Sequence, residues 1–91
     1  MKKFIIERDL PKIGEASRDD LKGAAKTSNA ALAELGKDIQ WVKSYVAEDK
    51  TFCVYLASGE EIIRKHSELS GFPATIITEI KGIIDPTTAR G

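Results

Sequence analysis

Apolar residues recur along this chain with two different periods, and the order in which these periods alternate leaves few folds open. A period of two, typical of β-strands, occurs in four segments, residues 2–8, 39–47, 51–57 and 75–84. A period of three to four, typical of amphipathic helices, occupies residues 17–36 and 58–71. The predicted order is therefore strand, helix, strand, strand, helix, strand. With right-handed crossovers this order gives a ferredoxin-like α+β fold, a four-stranded antiparallel sheet with both helices on one face.

The predicted helix ends carry capping signals. Ser17 and Asp20 resemble a weak capping box at the start of the first helix, and Gly36 stands where a left-handed C-terminal cap is expected. Ser58 and Glu61 form a full capping box for the second helix. The apolar stripe of the first helix consists mostly of Ala and Ser, so we expect this helix to lie close against the sheet. The stripe comprises Leu21, Ala24, Ala25, Ser28, Ala31, Leu32 and Leu35.

Length and charge limit the organisation and the partners of this chain. Its 91 residues predict a single domain over residues 1–91 with one modest core and a polar C-terminal tail over 85–91. Fourteen basic and fourteen acidic residues give a net charge of zero, which argues against nucleic acid and membrane surfaces as partners. No signal peptide or membrane-spanning run is recognisable, and Cys53 is the single cysteine. We therefore expect a cytoplasmic protein.

The uncovered face of the predicted sheet is expected to be an interface. If the more apolar residues of the third strand, Phe52, Val54 and Leu56, pack beneath the helices, the residues between them face outward. The outward set is then Cys53 and Tyr55, joined by the aromatic residues of the second strand, Trp41 and Tyr45. A face of this kind is too apolar to remain in water. We therefore predict self-association through the open sheet face, which makes a homo-oligomer.

Three polar or reactive side chains are the candidates for chemistry. His66 lies on the buried side of the second helix, either bonded to a backbone carbonyl or acting as a ligand or proton carrier at the mouth of a pocket. Cys53 is either a small buried hydrophobe or a reactive thiol. Glu7 interrupts an apolar strand, either as an edge charge or as a pocket acid. A ligand pocket would combine these three with the aromatic side chains, its lining being Glu7, Trp41, Tyr45, Cys53, Tyr55 and His66.

Sequence motifs for common activities are missing. The chain has no glycine-rich phosphate loop and no paired His or Cys motif. The single-stranded RNA-binding module of the same topology carries a basic-Gly-aromatic run on its third strand. Here that strand begins Lys50-Thr51-Phe52-Cys53-Val54-Tyr55 and lacks the glycine. RNA binding is therefore not expected.

An ordered set of short motifs resembles a known family across nearly the whole chain. The set is Ile6-Glu7-Arg8-Asp9, Gln40-Trp41-Val42-Lys43-Ser44-Tyr45-Val46, Cys53-Val54-Tyr55, Glu60-Glu61, His66, Gly71-Phe72-Pro73-Ala74 and Ile84-Asp85-Pro86-Thr87-Thr88. The chain thereby resembles a small bacterial ferredoxin-like family of largely unknown function, whose better-studied members are nickel-binding proteins. The resemblance implies a homo-oligomer with the fold predicted above.

Nickel is the cofactor that the resemblance implies, and the metal ligands would be His66, Glu7 and Cys53. The nickel-binding relatives are richer in histidine than this chain, which has Ser70 and Lys43 where relatives carry imidazoles. One imidazole per chain does not complete a nickel site, so a site here would be shared between subunits. We therefore expect a non-enzymatic nickel-binding protein. The alternatives are a small-molecule pocket or minor enzyme of the dimeric α+β barrel type, with Glu7 or His66 moving a proton, and a purely structural oligomer.

Overall fold

A computed structural model describes residues 1–90 and confirms the predicted ferredoxin-like α+β fold. The elements are β1 (Lys2–Asp9), α1 (Arg18–Leu35), β2 (Ile39–Val46), β3 (Lys50–Ala57), α2 (Glu60–Ser70) and β4 (Ile76–Ile80). The strands form one antiparallel sheet in the order β2-β3-β1-β4. Both helices cover the same face of this sheet. None of the helices in residues 1–90 is long and apolar enough to cross a membrane.

Three short 3-10 helices complete the part of the chain that the structure describes, and two of them replace predicted irregular segments. The turn Ile13–Glu15 lies in the loop after β1, Gly36–Asp38 joins α1 to β2, and Pro86–Arg90 lies within the predicted tail. The fourth strand is shorter than the predicted 75–84. The last residue of the predicted tail, at position 91, lies outside the described residues.

The N-terminal cap of α1 is confirmed, whereas its C-terminal cap and the N-terminal cap of α2 differ from the prediction. Ser17 Oγ accepts a hydrogen bond from the backbone amide of Asp20, whose carboxylate accepts one from the Ser17 amide. Gly36 ends α1 as expected and has a positive φ of 82°, but its ψ of −151° is not that of a left-handed helical cap. The predicted capping box at Ser58 is wrong. The backbone amide of Ser58 donates to the Asp38 carbonyl, and α2 begins at Glu60, one residue later than the box predicts, with Gly59 as an N-cap that makes no side-chain bond.

The core lies between the helices and the inner face of the central strands, and it reverses the predicted orientation of β3. Cys53 and Tyr55 point toward the helices, whereas Phe52, Val54 and Leu56 lie on the open face and are half-buried. The prediction relied on the greater hydrophobicity of the second set. In the structure β1 decides the orientation, because its buried residues pair with Cys53 and Tyr55 across the sheet. The buried core comprises Phe4, Ile6, Ile39, Cys53, Tyr55, Ala57 and Ile63.

A β-bulge in β2 separates two aromatic residues that the alternation places together. Trp41 pairs with Tyr55, but the next paired residue is Lys43, opposite Val54. One residue is therefore extra, and the side-chain alternation shifts by one position at this point. As a result Trp41 lies on the helix face and Tyr45 on the open face. The predicted outward orientation is therefore wrong for Trp41, as it is for Cys53 and Tyr55, whereas Tyr45 lies on the open face as predicted.

Candidate functional site

A cavity of about 260 Å³ lies between α1 and the sheet. The sequence predicts that the small side chains of the α1 stripe let the helix lie close against the sheet. In the structure this close contact does not extend along the whole helix. The small side chains leave this space instead, because Ala24, Ala25 and Ser28 fill little volume opposite β2 and β3. The lining is mostly apolar. It consists of Arg8, Leu10, Ile13, Leu21, Ala24, Ala25, Ser28, Trp41, Ser44, Val46, Thr51, Cys53, Tyr55 and Phe72.

The aromatic wall of the cavity is held in place by a side-chain hydrogen bond. Trp41 Nε1 donates to Ser44 Oγ over 3.0 Å. Both residues face the helices because of the bulge between them. The bond fixes the indole ring of the chain's single tryptophan in the cavity wall, where a bound molecule would change its fluorescence.

Arg8 is a buried cation in the wall of this cavity. It follows Phe4 and Ile6 on the inner face of β1 and is only 2% exposed. Its Nη1 donates to the backbone carbonyls of Phe72, at 3.3 Å, and Pro73, at 3.0 Å. The ion pairs among residues 1–90 join other side chains, so no carboxylate in that range pairs with Arg8. The hydrogen bonds of the Arg8 guanidinium are therefore accepted by neutral groups.

His66 lies behind the cavity and is completely buried. Its Nδ1 is 3.5 Å from Arg8 Nη2, and its Nε2 is 3.1 Å from Ser28 Oγ. A guanidinium only donates hydrogen bonds, so Nδ1 keeps its lone pair and Nε2 carries the proton that is donated to Ser28. Burial lowers the pKa of His66 from 6.5, and the Arg8 charge lowers it further. The imidazole is consequently neutral at pH 7.

Tyr55 completes the polar cluster, which we define as Arg8, Ser28, Tyr55 and His66. The Tyr55 ring centroid is 5.4 Å from that of His66, and Arg8 Cζ is 5.9 Å from the Tyr55 ring centroid. Burial raises the pKa of Tyr55 above 10.0, while Ser28 and Arg8 partly offset this rise. Arg8 is therefore the one charged side chain of the polar cluster at neutral pH.

The structure separates the predicted site residues into two groups. Trp41, Cys53 and Tyr55 line the cavity, and His66 contacts it through the polar cluster. Glu7 and Tyr45 lie on the open face of the sheet, where Glu7 pairs with Lys50 over 3.4 Å.

Arg8 and Ser28 belong to the site but were not among the residues predicted for it from the sequence. The sequence nonetheless contains patterns that could have identified both residues. Arg8 is in phase with Phe4 and Ile6 along β1, and Ser28 lies within the apolar stripe of α1. A polar residue at a position that the periodicity assigns to the buried face requires a partner there.

The side chains of a single chain do not fit a nickel ion. Among residues 1–90, no three His, Cys, Asp or Glu side chains lie close enough together to hold a metal ion. The predicted ligands Glu7 and Cys53 point to opposite faces of the sheet. The third, His66, has no free lone pair in the tautomer described above, and the adjacent Arg8 charge repels a cation.

Comparisons with known proteins agree on one family and one fold. The model of a family described as "Nickel responsive protein SCO4226-like" matches residues 4–80 of this chain. The crystal structure of SCO4226 from Streptomyces coelicolor A3(2) superposes with a TM-score of 0.74 at 16% sequence identity, covering 90% of this chain and 99% of that one. No curated protein sequence matches. At this identity the structural likeness establishes the fold.

Proposed function

Since this chain belongs to the SCO4226-like family of nickel responsive proteins, we propose a function within that setting: non-enzymatic binding of a small, mainly apolar molecule. The cavity between α1 and the sheet is the observation that supports this proposal. Its volume of about 260 Å³ is close to the lower limit of roughly 300 Å³ for ligand pockets, so the ligand would be small. The aromatic side chains Trp41, Tyr55 and Phe72 in the wall favour a molecule with a single ring.

The test is a titration of the purified protein with 3-phenylpropan-1-ol, a neutral single-ring probe, followed by Trp41 fluorescence. We expect saturable binding. The variant Ala25→Leu places a larger side chain in the cavity while keeping a strong helix former, and it is expected to lower the affinity at least tenfold. Ala33→Leu is the matched control, because Ala33 is exposed on the same helix. Absence of saturable binding to the wild-type protein, or an unchanged affinity in Ala25→Leu, would contradict the proposal.

The protein is further proposed to act as a homo-oligomer, with the open sheet face covered by a second copy. In the single chain this face exposes an apolar area at whose centre Ile5, Phe52 and Val54 lie side by side on adjacent strands. Glu7 and Lys50 border this centre, so a copy related by a two-fold axis would meet both signs of charge. Contiguous apolar faces of this kind are typical of interfaces. We place the oligomer in the cytoplasm, where Cys53 would stay reduced.

Nickel binding is the second candidate function, and the description of the family favours it. Because His66 is sealed in the polar cluster, ligands would have to come from the open face, where Glu7 is partly exposed. Two copies meeting at this face would supply two such carboxylates. This arrangement offers oxygen ligands, whereas nickel prefers imidazole nitrogen. The weaker fit of the donors makes nickel the second candidate.

A further inference from the structure

We infer that the ligand of the cavity between α1 and the sheet carries a carboxylate, which binds the guanidinium of Arg8. This inference rests on the proposed function, since it assigns a chemical class to the molecule that the cavity would bind. It adds a specificity-determining residue, Arg8, that neither the family description nor the predicted site contains.

The charge of Arg8 is buried, and no carboxylate of residues 1–90 pairs with it. The Arg8 side chain is almost completely buried, with an exposed fraction of 2%. It carries a positive charge, because arginine stays protonated in proteins. Buried charges are ordinarily paired with an opposite charge, because removing an ion from water costs several kcal/mol that neutral partners do not fully recover. Here the partners are two backbone carbonyls and an imidazole nitrogen. An anion at this place would supply the missing opposite charge.

The side chains around Arg8 within residues 1–90 do not supply that charge. Ser28, Tyr55 and His66, which contact Arg8 or one another, are neutral at pH 7. The two carboxylates adjacent to Arg8 in sequence lie on the other face of the sheet, where Glu7 pairs with Lys50 and Asp9 is exposed. β1 therefore carries its acidic side chains and its buried arginine on opposite sides.

The position of Arg8 in the cavity wall would bring its charge next to a bound molecule. Arg8 lines the cavity together with Phe72, beside the loop that leads from α2 to β4. The guanidinium has five N–H donors, and three hydrogen bonds are formed within residues 1–90. Planar carboxylates match the remaining donors well. An apolar body lying along Ala24 and Ala25, with its carboxylate toward Arg8, would fit both the lining and the charge.

The experiment compares two probes of the same skeleton, 3-phenylpropionate and 3-phenylpropan-1-ol, by Trp41 fluorescence at pH 7. We expect wild-type protein to bind the carboxylate at least tenfold more tightly than the alcohol. In Arg8→Gln this preference is expected to fall to about twofold or less, through a loss of carboxylate affinity of about tenfold or more, which is the usual effect of a charged hydrogen bond. Arg64→Gln is the matched control, because Arg64 is exposed on α2 and pairs with Glu60.

The outcomes separate the inference from the function on which it rests. Equal binding of both probes by wild-type protein overturns the inference and leaves the binding function standing, whereas binding of neither probe overturns both. If Arg8 serves only to tie the loop at Phe72 and Pro73 to the sheet, Arg8→Gln lowers the affinity for both probes equally, which also overturns the inference. The wild-type comparison keeps the test decisive should Arg8→Gln fail to fold.

Discussion

Arg8 and His66 meet side by side in the interior, with Nη2 of the guanidinium 3.5 Å from Nδ1 of the imidazole, and no carboxylate in residues 1–90 pairs with either. The contact joins β1 to α2, and the bond from His66 to Ser28 extends it to α1. Three elements are thereby connected through one neutral ring. Protonation of His66 would remove the acceptor at Nδ1 and place a second positive charge beside Arg8.

The stability of the fold is expected to decrease when the pH falls below about 6.5. The folded protein keeps His66 neutral, with a pKa below its ordinary 6.5, so between these two values the unfolded chain binds a proton that the folded chain does not. The free energy of unfolding therefore falls as the pH is lowered through this window, with a limiting slope of about 1.4 kcal/mol per pH unit. Urea unfolding at intervals of half a pH unit, from pH 7.5 to 5.5, measures this dependence of the free energy of unfolding on pH.

The control for this pH dependence is His66→Gln. His66 is the single histidine of the chain, so the variant should show a much flatter profile between pH 7 and 5.5, whatever its absolute stability. A wild-type profile as flat as that of the variant would show that His66 keeps an ordinary pKa in the folded state.

Two glycines are expected to respond in opposite directions to replacement by alanine. A Cβ at Gly14 would lie 2.8 Å from both the Ala47 carbonyl oxygen and Glu48 Cα, so backbone segments would have to move apart. We expect Gly14→Ala to lower the free energy of unfolding by about 1–3 kcal/mol. Gly23, inside α1, has open space at the same position, and Gly23→Ala should raise stability by about 0.5–1 kcal/mol. Thermal denaturation of both variants measures these changes in stability. Changes of the same sign and size in the two variants would contradict the prediction.

Charge at the centre of the open face is expected to dissociate the proposed oligomer. Val54 lies on β3 between Ile5 and Lys43 of the neighbouring strands, so Val54→Glu would bury a carboxylate in the interface. We expect sedimentation equilibrium to give a multimer for wild-type protein and a monomer for Val54→Glu. The control Leu69→Glu places the same charge on α2, on the opposite side of the sheet, and should remain multimeric. A monomeric wild-type protein would exclude the interface.

Nickel affinity is expected to be independent of His66. Because both ring nitrogens are engaged by Arg8 and Ser28, His66→Gln should bind Ni²⁺ within about twofold of wild-type protein in a calorimetric titration. Glu7→Gln, on the open face, should lower any nickel affinity that the oligomer has. A tenfold loss in His66→Gln, with Glu7→Gln unchanged, would show that the imidazole leaves the polar cluster to bind metal.

The predictions that succeeded rest on local signals that tertiary contacts leave intact. The order of the elements, the limits of α1 and the burial of its stripe follow from periodicity and from the caps at Ser17 and Gly36. The predictions that failed concern the side of a strand. β3 is apolar on both sides, so its alternation is compatible with either orientation, and the bulge between Trp41 and Lys43 reverses the phase within β2.

The fold follows from the order of the two hydrophobic periods, because elements in this order bury their apolar faces together in one common way. The site depends on contacts that the periods do not specify. The unpaired burial of Arg8, the neutral state of His66 and the space left by Ala24 and Ala25 depend on distances between elements remote in sequence. Periodicity records which side chains leave water, whereas charge compensation and cavity shape depend on which of them then become neighbours.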